Sequence, residues 1–263
     1  MCPGCATIAG MCGRMTQQTS PSDVARIFDA ELRQDEPFAP SWNVAPTDPV
    51  TVVVQRDDGR IVERQRWGLI PAWATSPASG ARMINARAET IMASPAFRVA
   101  VRKRRCIVPA DGFYEWIRES GKKPRPYALR AADGFAADPE TPLLNFAGVW
   151  SVWKDPATGI WVPSCAVVTT SASDQVAPIH NRMPVILPGE AWRNWLDPDL
   201  TDPGEILSML VPAEDALEIY PVSPLVNSVR NNGPELAVPL SAAEVAEAAA
   251  VSAVTPAQQT LFG

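Results

Sequence analysis

The sequence predicts an α+β fold in a single domain: a mainly antiparallel β-sheet or open-barrel core with peripheral helices. Three observations point there. The strand candidates mostly precede the longer helices and do not alternate with them as βαβ units would. The 27 prolines against 15 glycines imply many stiff connections between short elements. With 263 residues, 46% hydrophobic and 20% charged, the chain can bury roughly three quarters of its unfolded surface without a disulfide or metal.

Ser20, Pro21 and Asp23 have the pattern of a helix start, with a cap, a proline in the first turn and an acid at the third position. Val24, Ile27, Phe28 and Leu32 follow as the buried stripe. The β-branched run Val50 to Val54, the turn Asp57, Asp58 and Gly59, and Ile61 with Val62 read as a hairpin. Further strands are expected at Cys106 to Val108, Phe113 to Ile117, Pro126 to Leu129, Phe146 to Trp153, Ile160 to Val162 and Ala166 to Thr169. Helices are expected over Glu190 to Leu196 and Pro203 to Leu210, then a strand near Glu218 to Val222. After about Leu240 the composition turns Ala-rich, and Ser241 with Glu244 has the spacing of a capping box. The expected organisation is an extension over residues 1–10, a domain over 11–240 and a tail over 241–263.

No apolar run approaches the ~18 residues of a membrane span, and MCPGCATIAG lacks the basic and apolar regions of a signal peptide. Five unevenly spaced cysteines fit a reduced compartment, so a cytoplasmic location is expected. The net charge of −6 argues against a nucleic-acid partner when taken alone. From Arg82 to Arg130, however, 12 Lys and Arg stand against four acids, a local +8 that leaves −14 for the remainder. Such a segment can concentrate positive potential at one groove, or be a solvated face.

Few residues could carry chemistry. His180, the only histidine, lies in a loop between Pro178 and Pro184 beside Arg182, where a general acid or base can sit. A satisfied structural histidine is the alternative. Zinc spacing is absent around it, so no metal or cofactor is expected, and CPGC at Cys2 to Cys5 lacks the helix of a redox dithiol. Glu115 stands in DGFYEW among aromatics, where burial raises a carboxyl pKa, although an outward-facing strand acid fits as well. Asn85 in MINARAE is by itself an ordinary loop or cap residue. Cys12 in MCGRM is an inert small hydrophobe if internal. As a first residue it would hold an α-amine of pKa about 8 beside a thiol of pKa about 8.5. That pair can condense with an aldehyde and close a thiazolidine intramolecularly.

MCGRM (11–15), WNVAP (42–46), RWGLIPAW (66–73), INARAET (84–90), CIVPADGFYEW (106–116), VVTTSA (167–172) and IHNRMPVIL (179–187) together resemble the SOS-response-associated peptidase family, also described as the abasic-site processing proteins. The likeness is collinear over about residues 11 to 235. It implies a protein that captures abasic sites in single-stranded DNA through an N-terminal cysteine. Carried onto this chain, Cys12 would be the crosslinking nucleophile, Asn85 would orient its amine and the sugar, and Glu115 and His180 would move protons. Arg14, Asn43, Arg87, Thr169 and Arg182 would hold phosphates or sugar, and Trp73 and Trp116 would stack or form the groove wall. The location implied is the cytoplasmic nucleoid or replication fork. The ten residues before Met11 depart from the pattern, because they leave Cys12 only an amide nitrogen. Initiation at Met11, self-cleavage at the Met11 to Cys12 bond, or a retained extension with non-covalent binding would each fit. A thiol peptidase and a non-covalent single-strand binding module are the competing functions. Gln258, Leu261 and Phe262 resemble a peptide that docks on the replicative sliding clamp, with Gln259 where leucine is usual.

Overall fold

The computed structural model describes residues 12–33, 38–121, 123–136 and 141–246. The strands are β1 (Met15–Gln17), β2 (Glu31–Leu32), β3 (Ser41–Val44), β4 (Pro49–Arg56), β5 (Gly59–Trp67), β6 (Asn85–Arg87), β7 (Arg105–Ala110), β8 (Gly112–Ile117), β9 (Arg125–Ala131), β10 (Leu144–Lys154), β11 (Trp161–Ser171), β12 (Arg182–Pro184) and β13 (Leu217–Pro221). The helices are α1 (Pro21–Ile27), α2 (Arg98–Lys103), α3 (Ala191–Leu196) and α4 (Pro203–Ser208). The fold is α+β, dominated by antiparallel strands.

The strands form two sheets. One runs β13-β9-β8-β1-β3, antiparallel throughout. The other runs β12-β11-β10-β7-β4-β5-β2, and a parallel pairing of β5 with β11 at Arg66 and Trp67 closes β11, β10, β7, β4 and β5 into a barrel. The barrel is thus closed where the sequence suggested an open one. Its closure also explains the β-branched run. Val50, Val52 and Val54 of β4 point into the barrel core with Ile61 and Trp67, while Val53 faces outward to a second core with Val24, Phe28, Trp192 and Trp195. A strand buried on both faces reads as a continuous hydrophobic stretch.

Local signals held where chain neighbours decide them. The Ser20 hydroxyl accepts from the Asp23 amide at 3.1 Å, and Phe28 packs edge-on against Trp192 with centroids 4.9 Å apart. Arg56 pairs with Gly59 across the two-residue turn, where Gly59 takes φ +133°, a conformation costly for any side chain. Ser241 and Glu244 form the expected reciprocal cap at 2.8 and 3.3 Å.

Other expectations change. Leu32 lies beyond α1 in β2 and is 40% exposed, so it is no part of the helical stripe. The two strands expected at 160–162 and 166–169 are one, β11. Pro163 is tolerated within it because β11 at that point pairs with β10, whereas its pairing with β5 begins at Ser164. The short elements β1, β3, β6, β12 and α2 carry too little periodicity to be read from sequence. No helix among the described residues is long and apolar enough to cross a membrane.

Candidate active site

The site forms where the two sheets meet. Gln17 of β1 bridges them: its buried carboxamide donates to the carbonyls of Thr51 (3.0 Å) and Pro109 (2.7 Å) and accepts from the Thr51 amide (2.8 Å). Those partners lie on β4 and β7. β1 pairs antiparallel with β8, Met15 opposite Phe113, and the Tyr114 amide donates to the Arg14 carbonyl at 3.0 Å. Continuing that register backward along one strand and forward along the other places Gly13 opposite Glu115, so that Cys12, one residue on, comes within reach of the Glu115 side chain. The Cys12 amide donates to Glu115 Oε1 at 2.7 Å, a buried contact across 103 positions of sequence. Cys12 is 4% exposed and takes φ +39°, unusual for a residue with a Cβ.

Burial raises the Glu115 carboxyl above its ordinary pKa, and the nearby His180 and the bonds from Cys12 oppose that rise only in part. The Cys12 thiol is pushed well up, first by burial, then by the charge of Glu115 and its hydrogen bond to that carboxyl, while Arg182 pulls it down. Sulfur and carboxyl therefore favour their protonated forms. His180 is placed by its loop: its amide donates to the Val176 carbonyl at 3.0 Å, and its Nδ1 accepts from the Arg182 amide at 3.1 Å. The same Nδ1 lies 3.3 Å from the Arg182 carbonyl oxygen, so the Arg182 backbone holds the ring from both its polar groups.

The remaining expected residues divide into two groups. Asn85 and Arg87 are on β6, which runs parallel to β11 with Asn85 opposite Val167 and Arg87 opposite Thr169. Arg182 begins β12 opposite Ser171, and it donates to the Thr169 carbonyl at 2.8 Å. Thr169 is fully buried, and its hydroxyl finds no partner among the described residues. These residues and His180 come from the barrel, Cys12 and Glu115 from the other sheet.

Arg14 donates to Asn43 Oδ1 at 2.6 Å and to the Val226 carbonyl at 2.9 Å, and its guanidinium lies 5.7 Å from the Trp116 ring centroid. Asn43 is buried, with its amide nitrogen on the carbonyls of Val226, Ser228 and Asn231. It holds Arg14 and the 226–231 loop. The Trp116 indole donates to Asn227 at 2.6 Å. Trp73 is 65% exposed on the loop after β5.

Several cations of the basic segment are engaged with different parts of the fold. Arg105 is buried, donating to four carbonyls, of Val101, Arg102, Trp195 and Asp197. Arg104 lies over Trp150 at the barrel, and Arg125 and Arg130 pair with Glu119 and Glu218. Of that segment's cations Arg87 is the one on the strand carrying Asn85. Sequence reasoning also left Glu89 without a role, although it stands two places after Arg87; it forms a two-pronged pair with Arg182. No group of His, Cys, Asp and Glu suited to a metal occurs among the described residues.

Comparison with known proteins gives one consistent result. The model of the family described as SOS response associated peptidase (SRAP) matches residues 11–229. Abasic site processing protein YoqW of Bacillus subtilis is 39% identical over 229 residues, covering 86% of this chain and 98% of its own length. Abasic site processing protein HMCES of Gallus gallus is 31% identical, covering 88% of this chain and 78% of its own. A crystal structure of a protein from Bacteroides thetaiotaomicron superposes with a TM-score of 0.75 at 26% identity, covering 88% of this chain and all of that one. The chain belongs to the SOS response associated peptidase family.

Proposed function

We propose that the protein senses abasic sites in single-stranded DNA and crosslinks to them through Cys12 as its first residue. The observation that carries this reading is the 2.7 Å bond from the Cys12 nitrogen to Glu115, which sets one carboxyl beside both the nitrogen and the sulfur. Loss of the residues before Cys12, by initiation at Met11 followed by hydrolytic removal of that methionine or by self-cleavage at the Met11 to Cys12 bond, turns that amide into an amine.

The chemistry then balances. His180 gives a proton to the ring oxygen of the sugar and takes back the proton of the C1 hydroxyl as the ring opens to the aldehyde. The amine attacks C1, its surplus proton passing to the former carbonyl oxygen, and the resulting hydroxyl leaves as water with a proton from Glu115, forming a protonated imine. The thiol passes its proton to the Glu115 carboxylate as sulfur bonds to the same carbon and the C=N electron pair returns to nitrogen, which completes the thiazolidine. One water is released overall. A carboxyl whose pKa is raised by burial suits the dehydration step. The same surroundings disfavour a resting thiolate, the species a thiol peptidase needs, so the raised thiol speaks against peptide hydrolysis in trans. Arg14, Arg87 and Arg182 on this reading line the path of phosphates and sugar, with buried Asn43 holding Arg14 and the buried Thr169 carbonyl holding Arg182 in place; Asn85 orients the amine, and Trp73 and Trp116 face bases.

The test is incubation with single-stranded DNA holding one abasic site, followed by denaturing electrophoresis and intact mass. A shifted band from chains starting at Cys12, absent for Cys12→Ala, is expected. An equal band from chains that retain Met1, or from Cys12→Ala, overturns the mechanism.

A further inference from the structure

Glu89 has no part in the chemistry above, yet it closes over a residue of the proposed DNA path. Its two carboxylate oxygens receive Nη1 and Nη2 of Arg182, the second at 2.9 Å. The side chain of Arg182 is 14% exposed and that of Glu89 51%, so the acid meets the cation from the solvent side. Arg182 does not depend on this contact for its position, because Nη2 also donates to the Thr169 carbonyl at 2.8 Å. Hydrogen bonding from Arg182 holds the Glu89 carboxyl below its usual range, with the charges of Arg182 and Arg87 adding. Glu89 is thus an anion between two arginines at the edge of the site. A guanidinium grips carboxylate and phosphate with the same two-pronged geometry.

We propose that Glu89 is an internal stand-in for a backbone phosphate: it occupies Arg182 in the free protein and yields to a phosphodiester of the incoming strand. A half-exposed ion pair is a weak tie and exchanges readily. The exchange lowers affinity for undamaged strand, so that retention depends on the covalent step. This inference rests on the single-strand DNA reading of the site.

The experiment measures anisotropy of a labelled oligothymidylate, free of abasic sites, across a salt series. Wild type is compared with Glu89→Gln, Glu89→Asp and Glu218→Gln, the last being an acid paired with Arg130 on β13. Glu89→Gln is expected to bind several-fold more tightly across the salt series, because Arg182 no longer has to leave a carboxylate before it meets the phosphate. Glu89→Asp, which keeps the charge, and Glu218→Gln should follow wild type. Equal or weaker binding by Glu89→Gln overturns the proposal, as does an equal gain in Glu218→Gln, which marks a general charge effect. A Glu89→Gln chain that no longer unfolds cooperatively on heating shows the acid to be a structural anchor and overturns it too. No binding by wild type at any salt concentration instead defeats the DNA reading itself.

Discussion

At the scale of single residues the pair Cys12 and Glu115 carries the proposed chemistry, and its protonation has two consequences. Burial raises the Glu115 carboxyl, so the folded protein holds a proton that the unfolded chain releases above about pH 4.3. Stability from this group is therefore lost as pH rises from that value through the folded pKa. Glu115→Gln should flatten that slope in denaturant titrations run across acid pH; an unchanged slope assigns it to other groups. In the proposed crosslinking reaction the same proton serves the loss of water. The rate should rise as the α-amine becomes neutral and fall as Glu115 ionises. Glu115→Gln should be slower by on the order of 10²-fold and show no fall on the alkaline side. A variant as fast as wild type removes Glu115 from the proton path.

Elements place these residues through a few close approaches. The loop from Gly68 to Met83 is pinned at both ends, by Gly68 N to the Cys165 carbonyl (2.8 Å) and Leu69 N to the Met83 carbonyl (3.0 Å). It carries Trp73 outward and delivers the chain to β6. Gly68 and Gly80 touch within it: a Cβ on Gly80 would stand 2.5 Å from the Gly68 carbonyl oxygen and 2.9 Å from Ile70. Gly68 itself has φ +125°. Backbone oxygen cannot rotate aside as a side chain can, so Gly80→Ala should lower stability by about 1–3 kcal/mol. The denaturant midpoint measures this, and an unmoved midpoint means that the loop shifts as a body.

Across the whole molecule the site exists because two sheets are joined. One sheet contributes Cys12 and Glu115, the sheet that closes into the barrel contributes Arg182 and the β6 residues, with His180 on the loop before β12, and Gln17 links the two frameworks. With a net charge of −6, attraction of a strand on the proposed reading falls to the site's own arginines, Arg14, Arg87 and Arg182. The expected clamp-docking residues Gln258, Leu261 and Phe262 lie outside the described residues, as do Cys2, Cys5 and Met11. Truncation before Gln258 should leave crosslinking intact and abolish binding to the replicative clamp in a pull-down. Binding that survives truncation, or is absent from the full chain, dismisses the docking peptide.

The sequence by itself determined what neighbouring residues settle among themselves. Ser20 with Asp23, the Asp57 to Gly59 turn, and Ser241 with Glu244 all close bonds within a few positions, so residue identity suffices. The collinear motifs likewise named Cys12, Glu115, His180 and Arg182 as a set. Only the tertiary structure decided which of them meet. In Phe113, Tyr114, Glu115 and Trp116 aromatics occupy both faces of the strand, and only pairing with β1 turns Glu115 to Cys12. The guard that Glu89 places on Arg182 depends on β6 and β12 both being carried by β11. Such contacts follow from register between distant strands, and register is fixed by packing of the entire core rather than by any local pattern.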